Sequence, residues 1–285
     1  MTFMKTLLDV LKRSTEYLEQ RGISHPRRQS EDLIADALGI KRMQLYLEFD
    51  RPLTEAELTD CRARLMRRGK GEPLQYIHGK VEFHDCTLKV DSGVLIPRQE
   101  TEILVDKIIQ ALLNQDLAGK VLWDVCCGSG CIGIAIKKKY PELEVVLSDL
   151  SAAALKVARE NAQLNSVDVA FVEGDLLKPF FGKRADYVVC NPPYIAENEF
   201  KELNAEVRDF EPRMALIGGI TGLEFYDRLA KELPSFLSTG GKVWFEIGKG
   251  QGAGVSNLFC TAPWTHNRVE QDWAGHDRFF FLEIE

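Results

Sequence analysis

No apolar run in this 285-residue chain approaches the roughly 20 residues that a membrane span needs, so no spanning helix is expected. Met1 to Gln20 mixes charged and apolar residues at helical spacing, which is not the pattern of a signal peptide. A disulfide framework is also missing. The seven cysteines are odd in number and irregularly spaced, and three crowd one loop (Cys126, Cys127 and Cys131). That usage fits a reducing, cytoplasmic compartment. No cysteine pair has zinc-ligand spacing, and no metal is expected. Excess positive charge is lacking too: the net charge of −7 argues against a protein that lives on bare duplex DNA. There is no internal repeat and no low-complexity segment.

What is present divides in two. Residues 1–80 carry 15 Lys/Arg against 12 Asp/Glu, a net of +3, which leaves −10 for the remainder. Such an imbalance suggests two different jobs. The first part reads as a small helical bundle, with helices over Thr6–Gln20, Pro26–Leu38, Lys41–Phe49 and Thr54–Gly69. Thr54 followed by Glu57 is a capping-box signature. Val81–His84 and Thr87–Val90, around Asp85-Cys86, read as a β-hairpin linking the two parts over residues 81–92. From Gly93 strands and helices alternate. Strands are expected at Val121–Val125, Glu144–Ser148, Val169–Val172, Tyr187–Cys190, Lys242–Ile247, Thr265–Glu270 and Arg278–Ile284, the last two as an antiparallel pair. Helices are expected at Cys131–Lys139, Ser151–Leu164 and Gly222–Leu237. The pattern predicts an α/β domain over 93–285 with a seven-stranded, doubly wound, Rossmann-like sheet.

In such a sheet, ligands bind beyond the carboxyl ends of the strands, where the strand order reverses. The first strand runs into Asp124-Val125-Cys126-Cys127-Gly128-Ser129-Gly130, whose small residues let backbone N–H groups approach a ligand. The second ends at Asp149, an acid placed to bind ribose hydroxyls or, alternatively, to cap the helix that starts at Ser151. The third ends in Glu173-Gly174-Asp175, an acid placed near an adenine amino group. A nicotinamide cofactor is the rival, but the full G-x-G-x-x-G fingerprint is absent. The spacing instead resembles the class I S-adenosylmethionine-dependent methyltransferases. Cys126 stands where that family usually has glycine, and a thiol residue is expected to need ordinary backbone angles, so that the turn differs slightly. The loop cysteines read most simply as small apolar side chains.

The fourth strand delivers Asn191-Pro192-Pro193-Tyr194. Two prolines remove two N–H donors and leave nearby carbonyl oxygens free to accept. The Asn191 side-chain oxygen and the Pro192 carbonyl can converge on a planar NH₂ group, which offers two donors in one plane, while Tyr194 supplies an aromatic face. Such a grip suits methyl transfer to an amide or aromatic amine nitrogen, a poor nucleophile that gains from orientation and from acceptors facing the charge it develops. A loop that merely turns the chain is the plain alternative.

The blocks around that motif resemble the protein-(glutamine-N5) methyltransferase family that modifies bacterial peptide chain release factors. They are Glu72-Pro73-Leu74-Gln75-Tyr76-Ile77-His78-Gly79, Ile96-Pro97-Arg98-Gln99-Glu100-Thr101-Glu102 and Glu206-Val207-Arg208-Asp209-Phe210-Glu211-Pro212, with Ala215-Leu216 and Gly218-Gly219. Near the end stand Glu246-Ile247-Gly248 with Gln251, and Asp272 to Arg278. Where the family usually has proline this chain has Gln99, which loosens that loop. The resemblance implies S-adenosylmethionine bound by Cys126, Cys127, Gly128, Ser129, Gly130, Asp149, Asp175, Leu176 and Asn191, with S-adenosylhomocysteine as product. It implies that Asn191, Pro192, Pro193 and Tyr194 grip the glutamine amide in the Gly-Gly-Gln loop of class 1 release factors. It also implies that residues 1–80 dock that factor, with Arg62, Arg64, Arg67, Arg68 and Lys70 as a basic stripe that reads equally as a solvated face. Arg98 can pair with Glu100 or Glu102, and Glu211 with Arg213 as an ordinary surface pair. A monomer without membrane or direct DNA contact is expected. The alternative is an adenine-N6 nucleic-acid methyltransferase, which wants a basic cleft and base flipping.

Overall fold

The computed structural model describes residues 5–261 and 263–285. They form two compact units. One holds the chain up to Gly79 together with Asn204–Phe210; the other holds Lys80–Leu203 and Glu211–Glu285.

The helical unit comprises α1 (Leu7–Glu19), α2 (Pro26–Ala37), α3 (Arg42–Leu45), α4 (Glu55–Gly69) and α5 (Leu74–His78), with α9 (Ala205–Phe210) in the returning segment. Thr6 caps α1 and Thr54 caps α4; in each case the acid at the third helical position, Asp9 or Glu57, closes a capping box. Gly22, at φ 70°, follows α1, and Pro26 opens α2, since proline loses nothing at a first helical turn. Leu7, Leu11, Ile34, Leu45 and Cys61 form the core.

The basic stripe on α4 is largely tied up. Arg64 pairs with Asp36 and Asp60, and Arg67 grips both oxygens of Glu72 at 2.6 and 2.8 Å. Arg68 is only 1% exposed. Its guanidinium donates to Gln29 Oε1 at 2.5 Å, to the Glu72 carbonyl at 2.9 Å and to the Glu206 carboxylate. Three of the five stripe residues are thus structural. Arg68→Ala leaves buried acceptors without donors and is expected to cost about 2–3 kcal/mol of unfolding free energy. Arg62→Ala is expected to stay within about 0.5 kcal/mol of the parent. Urea denaturation of both variants checks this, and equal effects would contradict it.

The larger unit begins with the hairpin β1 (Lys80–Phe83) and β2 (Cys86–Lys89). It turns through His84-Asp85, one residue earlier than expected, with His84 at φ 48°. Helix α6 (Gln99–Leu112) follows, then β3 (Val121–Val125), α7 (Cys131–Lys139), β4 (Glu144–Asp149), α8 (Ala152–Leu164), β5 (Ala170–Glu173) and β6 (Ala185–Cys190). After the short strands β7 (Ile195–Ala196) and β8 (Ile217–Gly219) come α10 (Glu224–Glu232), β9 (Leu237–Glu246), α11 (Gly252–Leu258), β10 (Trp264–Gln271) and β11 (Asp277–Ile284). The helix expected to run to Leu237 stops at Glu232, because Pro234 cannot donate an N–H; a 3₁₀ turn over Leu233–Ser235 leads directly into β9.

Seven strands make one sheet in the order β10-β11-β9-β6-β3-β4-β5. Strands β9, β6, β3, β4 and β5 are parallel; β10 and β11 are antiparallel. Alternate residues face opposite sides. Leu122, Val189 and Trp244 pack with α6, α7, α8 and the hairpin, whereas Trp123, Val188 and Phe245 pack with α10, α11 and Phe180. The chain moves outward from β3 through β4 to β5, then returns to place β6 on the other side of β3. That reversal sets a crevice beyond the carboxyl ends of β3 and β6.

Candidate active site

A cavity, partly open to solvent, occupies that crevice. Cys126 to Ser129 line it after β3, Asp149 to Ser151 after β4, Gly174 to Leu176 after β5, and Asn191 and Pro193 after β6. Val94, Pro97, Met214 and Phe225 add apolar walls. Of the residues singled out from sequence, Asp124, Gly130, Pro192 and Tyr194 are not among those that line it.

Each acid at a strand end is held differently. Asp124 is 1% exposed; one carboxylate oxygen accepts the Gly133 N–H at 2.9 Å, and the other has no donor among the described residues. Burial pushes its pKa up to about 7, opposed by the Gly133 N–H and reinforced by Asp149. The helix lies so close that a Cβ at Gly133 would sit 2.3 Å from Leu147. Asp149 fills both roles considered for it. It lines the cavity, and it accepts the Ser151 N–H at 2.8 Å and the Gly128 N–H at 2.9 Å. Ser151 itself caps α8. Burial raises the Asp149 pKa against those N–H groups. Asp175 reaches the cavity with both oxygens on Arg228 at 2.9 Å and one on Lys178 at 2.7 Å. The Lys178 and Arg228 bonds hold its pKa down against desolvation. A carboxylate has about four acceptor sites, so room for a further donor remains.

Burial disfavours the thiolate at Cys127 and Cys131 of the loop. It raises the pKa of those two and of Cys190. Cys126 corrects one expectation: it adopts φ 59°, in the left-handed region, so the turn keeps its shape and the residue carries the strain. That strain costs roughly 1–2 kcal/mol, and glycine recovers it less its own chain-entropy penalty of about 0.5–1 kcal/mol. Cys126→Gly is therefore expected to raise stability by about 0.5–1 kcal/mol while cofactor affinity stays within a few-fold. Calorimetric unfolding with and without ligand tests this; a lower melting temperature would contradict it.

The loop after β6 is clamped from outside. Gln251 donates from Nε2 to the Tyr194 carbonyl at 2.8 Å, and its Oε1 accepts the Gly248 N–H at 2.8 Å. A Cβ at Gly218 would come within 2.4 Å of the Pro193 carbonyl oxygen, and one at Gly222 within 2.3 Å of the Tyr194 carbonyl oxygen. Only glycine lets those strands close on the loop. The Pro192 carbonyl has no backbone donor among the described residues. Beneath the loop lies Glu246, 1% exposed at the carboxyl end of β9. It accepts from Thr101 Oγ1 at 2.7 Å and from the Tyr194 hydroxyl at 3.5 Å.

Comparison with known proteins fits this architecture. A family model described as "Methyltransferase small domain" matches residues 98–207, and one described as "PrmC N-terminal domain" matches residues 9–79. The release factor glutamine methyltransferase of Chlamydia trachomatis serovar L2 is 46% identical over 275 residues, 96% of this chain and 93% of that protein. The enzyme of that name from Geobacter sulfurreducens is 40% identical, over 96% of this chain and 95% of its own. The chain belongs to the release factor glutamine methyltransferase family. Among solved structures, the hMettl16 catalytic domain superposes with a TM-score of 0.54 at 13% identity, covering 80% of this chain and 82% of that one. A methyltransferase from Pyrococcus furiosus gives 0.50 at 16% identity, covering 70% and 88%. These two share the fold.

Two further expectations are corrected within this family member. Glu211 is buried and pairs not with Arg213 but with Arg98, at 2.5 Å, while its second oxygen accepts the Ile96 N–H at 3.1 Å. Arg213 pairs with Glu197 at 3.2 Å, and Glu102 accepts the His84 N–H at 3.2 Å. Residue-level reading also missed Asn161. Fully buried on α8, it bonds both backbone groups of Lys89 and, at 2.9 Å, the Ser129 carbonyl, tying the hairpin to the cofactor loop.

Proposed function

We propose that this chain transfers a methyl group from S-adenosylmethionine to the side-chain N5 nitrogen of the glutamine in the Gly-Gly-Gln loop of class 1 peptide chain release factors. The observation that carries the reading is one cavity lined both by the loop after β3 and by Asn191 and Pro193.

The residues suit the cofactor. Asp149 is placed for ribose hydroxyls, Asp175 and Leu176 for the adenine edge, and Cys126 to Gly130 for the amino-acid end. The buried Asp124, at the end of β3, keeps one carboxylate oxygen without a donor among the described residues. Bound there, S-adenosylmethionine supplies a methyl group activated by sulfonium charge. Asn191 Oδ1 and the Pro192 carbonyl accept the two N–H bonds of the glutamine amide and fix its nitrogen in line for attack. They also favour the positive charge that develops on that nitrogen. Tyr194, next to the lining residue Pro193, supports the grip, with its phenol kept protonated by burial and by the nearby Glu246 charge. The clamps from Gln251, Gly218 and Gly222 keep this geometry in place before substrate arrives.

The test incubates the protein with labelled S-adenosylmethionine and either purified release factor or adenine-containing DNA. Label on the Gly-Gly-Gln glutamine is the expected result; label on DNA, or on neither, defeats the reading. Asn191→Ala is expected to lower kcat at least 100-fold while cofactor still binds measurably by calorimetry.

The helical unit is proposed to dock the release factor. Support comes from its exposed apolar side chains: Leu47 is 85% exposed and Met43 71%. Leu47→Asp is expected to raise KM for the release factor at least fivefold with kcat and cofactor affinity unchanged. An unchanged KM in steady-state assays argues for a different docking face.

A further inference from the structure

Arg98 is the N-cap residue of α6 and the one Lys or Arg among the described residues that line the cavity. Its guanidinium is braced from behind. Nη2 donates to the buried Glu211 at 2.5 Å, and the other oxygen of that carboxylate accepts the Ile96 N–H at 3.1 Å. Glu211 thereby holds both the side chain and the segment that carries it. A guanidinium has five N–H donors in a rigid fork. With one nitrogen on Glu211, Nη1 and Nε have no partner among the described residues. The transfer described above gives this cation no task.

A part-free cation in a cavity wall matters because the expected ligand carries charges of both signs. S-adenosylmethionine has a sulfonium, an ammonium and, at its amino-acid end, a single carboxylate. That carboxylate needs donors, and the loop after β3 has few to spare. The Cys127 N–H donates to the Ser148 carbonyl at 2.9 Å, the Gly128 N–H to Asp149 at 2.9 Å and the Gly130 N–H to the Cys127 carbonyl at 2.7 Å. Thr101 also lines the cavity, but its hydroxyl donates to Glu246 at 2.7 Å. The other charged residues of the lining are Asp149 and Asp175, and like charge repels a carboxylate from both.

We propose that Arg98 is a cofactor-binding residue: its free guanidinium N–H groups take the carboxylate at the amino-acid end of S-adenosylmethionine. The proposal rests on the methyl donor, which family membership supplies, and not on the choice of acceptor. Glu211 offsets part of the attraction by its charge, while its two hydrogen bonds keep the fork from swinging away. Lysine could serve Glu211 or the ligand, but it lacks the planar fork that holds one while presenting donors to the other. Hydrogen bonds between charged partners contribute a factor of about 10 to 100 in affinity. The cavity should therefore select ligands by that carboxylate.

Calorimetry on the full-length protein tests this with three ligands and no acceptor: S-adenosylmethionine, its decarboxylated form, and 5′-methylthioadenosine, which lacks the amino-acid end altogether. The parent is expected to bind S-adenosylmethionine at least tenfold tighter than the decarboxylated form. Arg98→Met keeps the apolar stem and loses the donors. It is expected to bind those two within threefold of each other, or to favour the decarboxylated form, with 5′-methylthioadenosine bound within threefold of the parent. A parent that does not distinguish the first two ligands, or a preference that persists in Arg98→Met, overturns the proposal. So does an equal loss of 5′-methylthioadenosine, which would make Arg98 a support of the cavity wall. A higher KM for release factor with the preference unchanged would place Arg98 on the acceptor side and overturn it too. Should Arg98→Met not fold, Arg98→Lys carries the test: the preference must fall at least threefold, and an unchanged preference sinks the idea. The binding measurements need no turnover. A parent that keeps the preference yet fails to label release factor would refute the choice of acceptor and leave the assignment of Arg98 standing.

Discussion

Two consecutive prolines cannot donate a backbone hydrogen bond, so a loop built on Pro192 and Pro193 cannot hold its own shape through its main chain. The Pro192 carbonyl proposed to meet the substrate has no backbone donor among the described residues. The missing donors transfer the work of shaping the loop to residues far away in sequence. Gln251 anchors the Tyr194 carbonyl, and the glycines at 218 and 222 let β8 and the start of the next segment press against the loop. The Tyr226 hydroxyl donates to the Glu246 carbonyl at 2.7 Å, which fixes the strand end that lies under the loop. Much of the chain between residues 194 and 251 can be understood as support for four residues.

A second constraint comes from water. Three acids stand at the carboxyl ends of parallel strands: Asp124, Asp149 and Glu246. Burial raises the pKa of each, and hydrogen-bond donors lower it again without cancelling the effect. A fold selected for stability alone would place apolar side chains at such positions, since a buried carboxylate is stabilising only when fully partnered. Of the three, Asp149 lines the cavity. The left-handed Cys126 and the unpartnered oxygen of Asp124 belong to the same pattern of local cost concentrated around one cavity.

How much of this could be read beforehand depends on the range of the interaction involved. Features governed by neighbours in sequence were legible: the capping box at Thr54, Pro26 opening α2, and the strands bounded by turns. The seven-stranded sheet followed because alternation and right-handed crossovers leave few topologies. Pro234 was a local signal that deserved more weight, for it ends α10. Pairings across long separations were not legible. Arg98 has acids two and four residues away, yet it finds Glu211; the α4 arginines look solvated in sequence and are internally paired; and Asn204–Phe210 lies with the helical unit. Glu246 did leave a trace, as an acid closing an apolar strand in the manner of Asp124 and Asp149. Cys126 shows the limit of residue-type rules, because the turn imposed its angles on a residue that resists them.

The grip itself does not choose between acceptors. An amide and the adenine amino group present the same two coplanar donors, and both satisfy a pair of converging oxygens equally well. Superposition on other methyltransferases at 13–16% identity cannot choose either, because a fold of this kind hosts many substrates. Selection must then rest on what surrounds the loop. Residues 81–285 carry a net charge of −10, which repels a phosphate backbone and leaves a protein loop unpenalised. A Gly-Gly-Gln loop also needs no base flipping to enter the cavity, because its amide already projects from a flexible backbone. The same four residues can therefore serve either chemistry, and the field and shape of the rest of the chain decide which substrate reaches them.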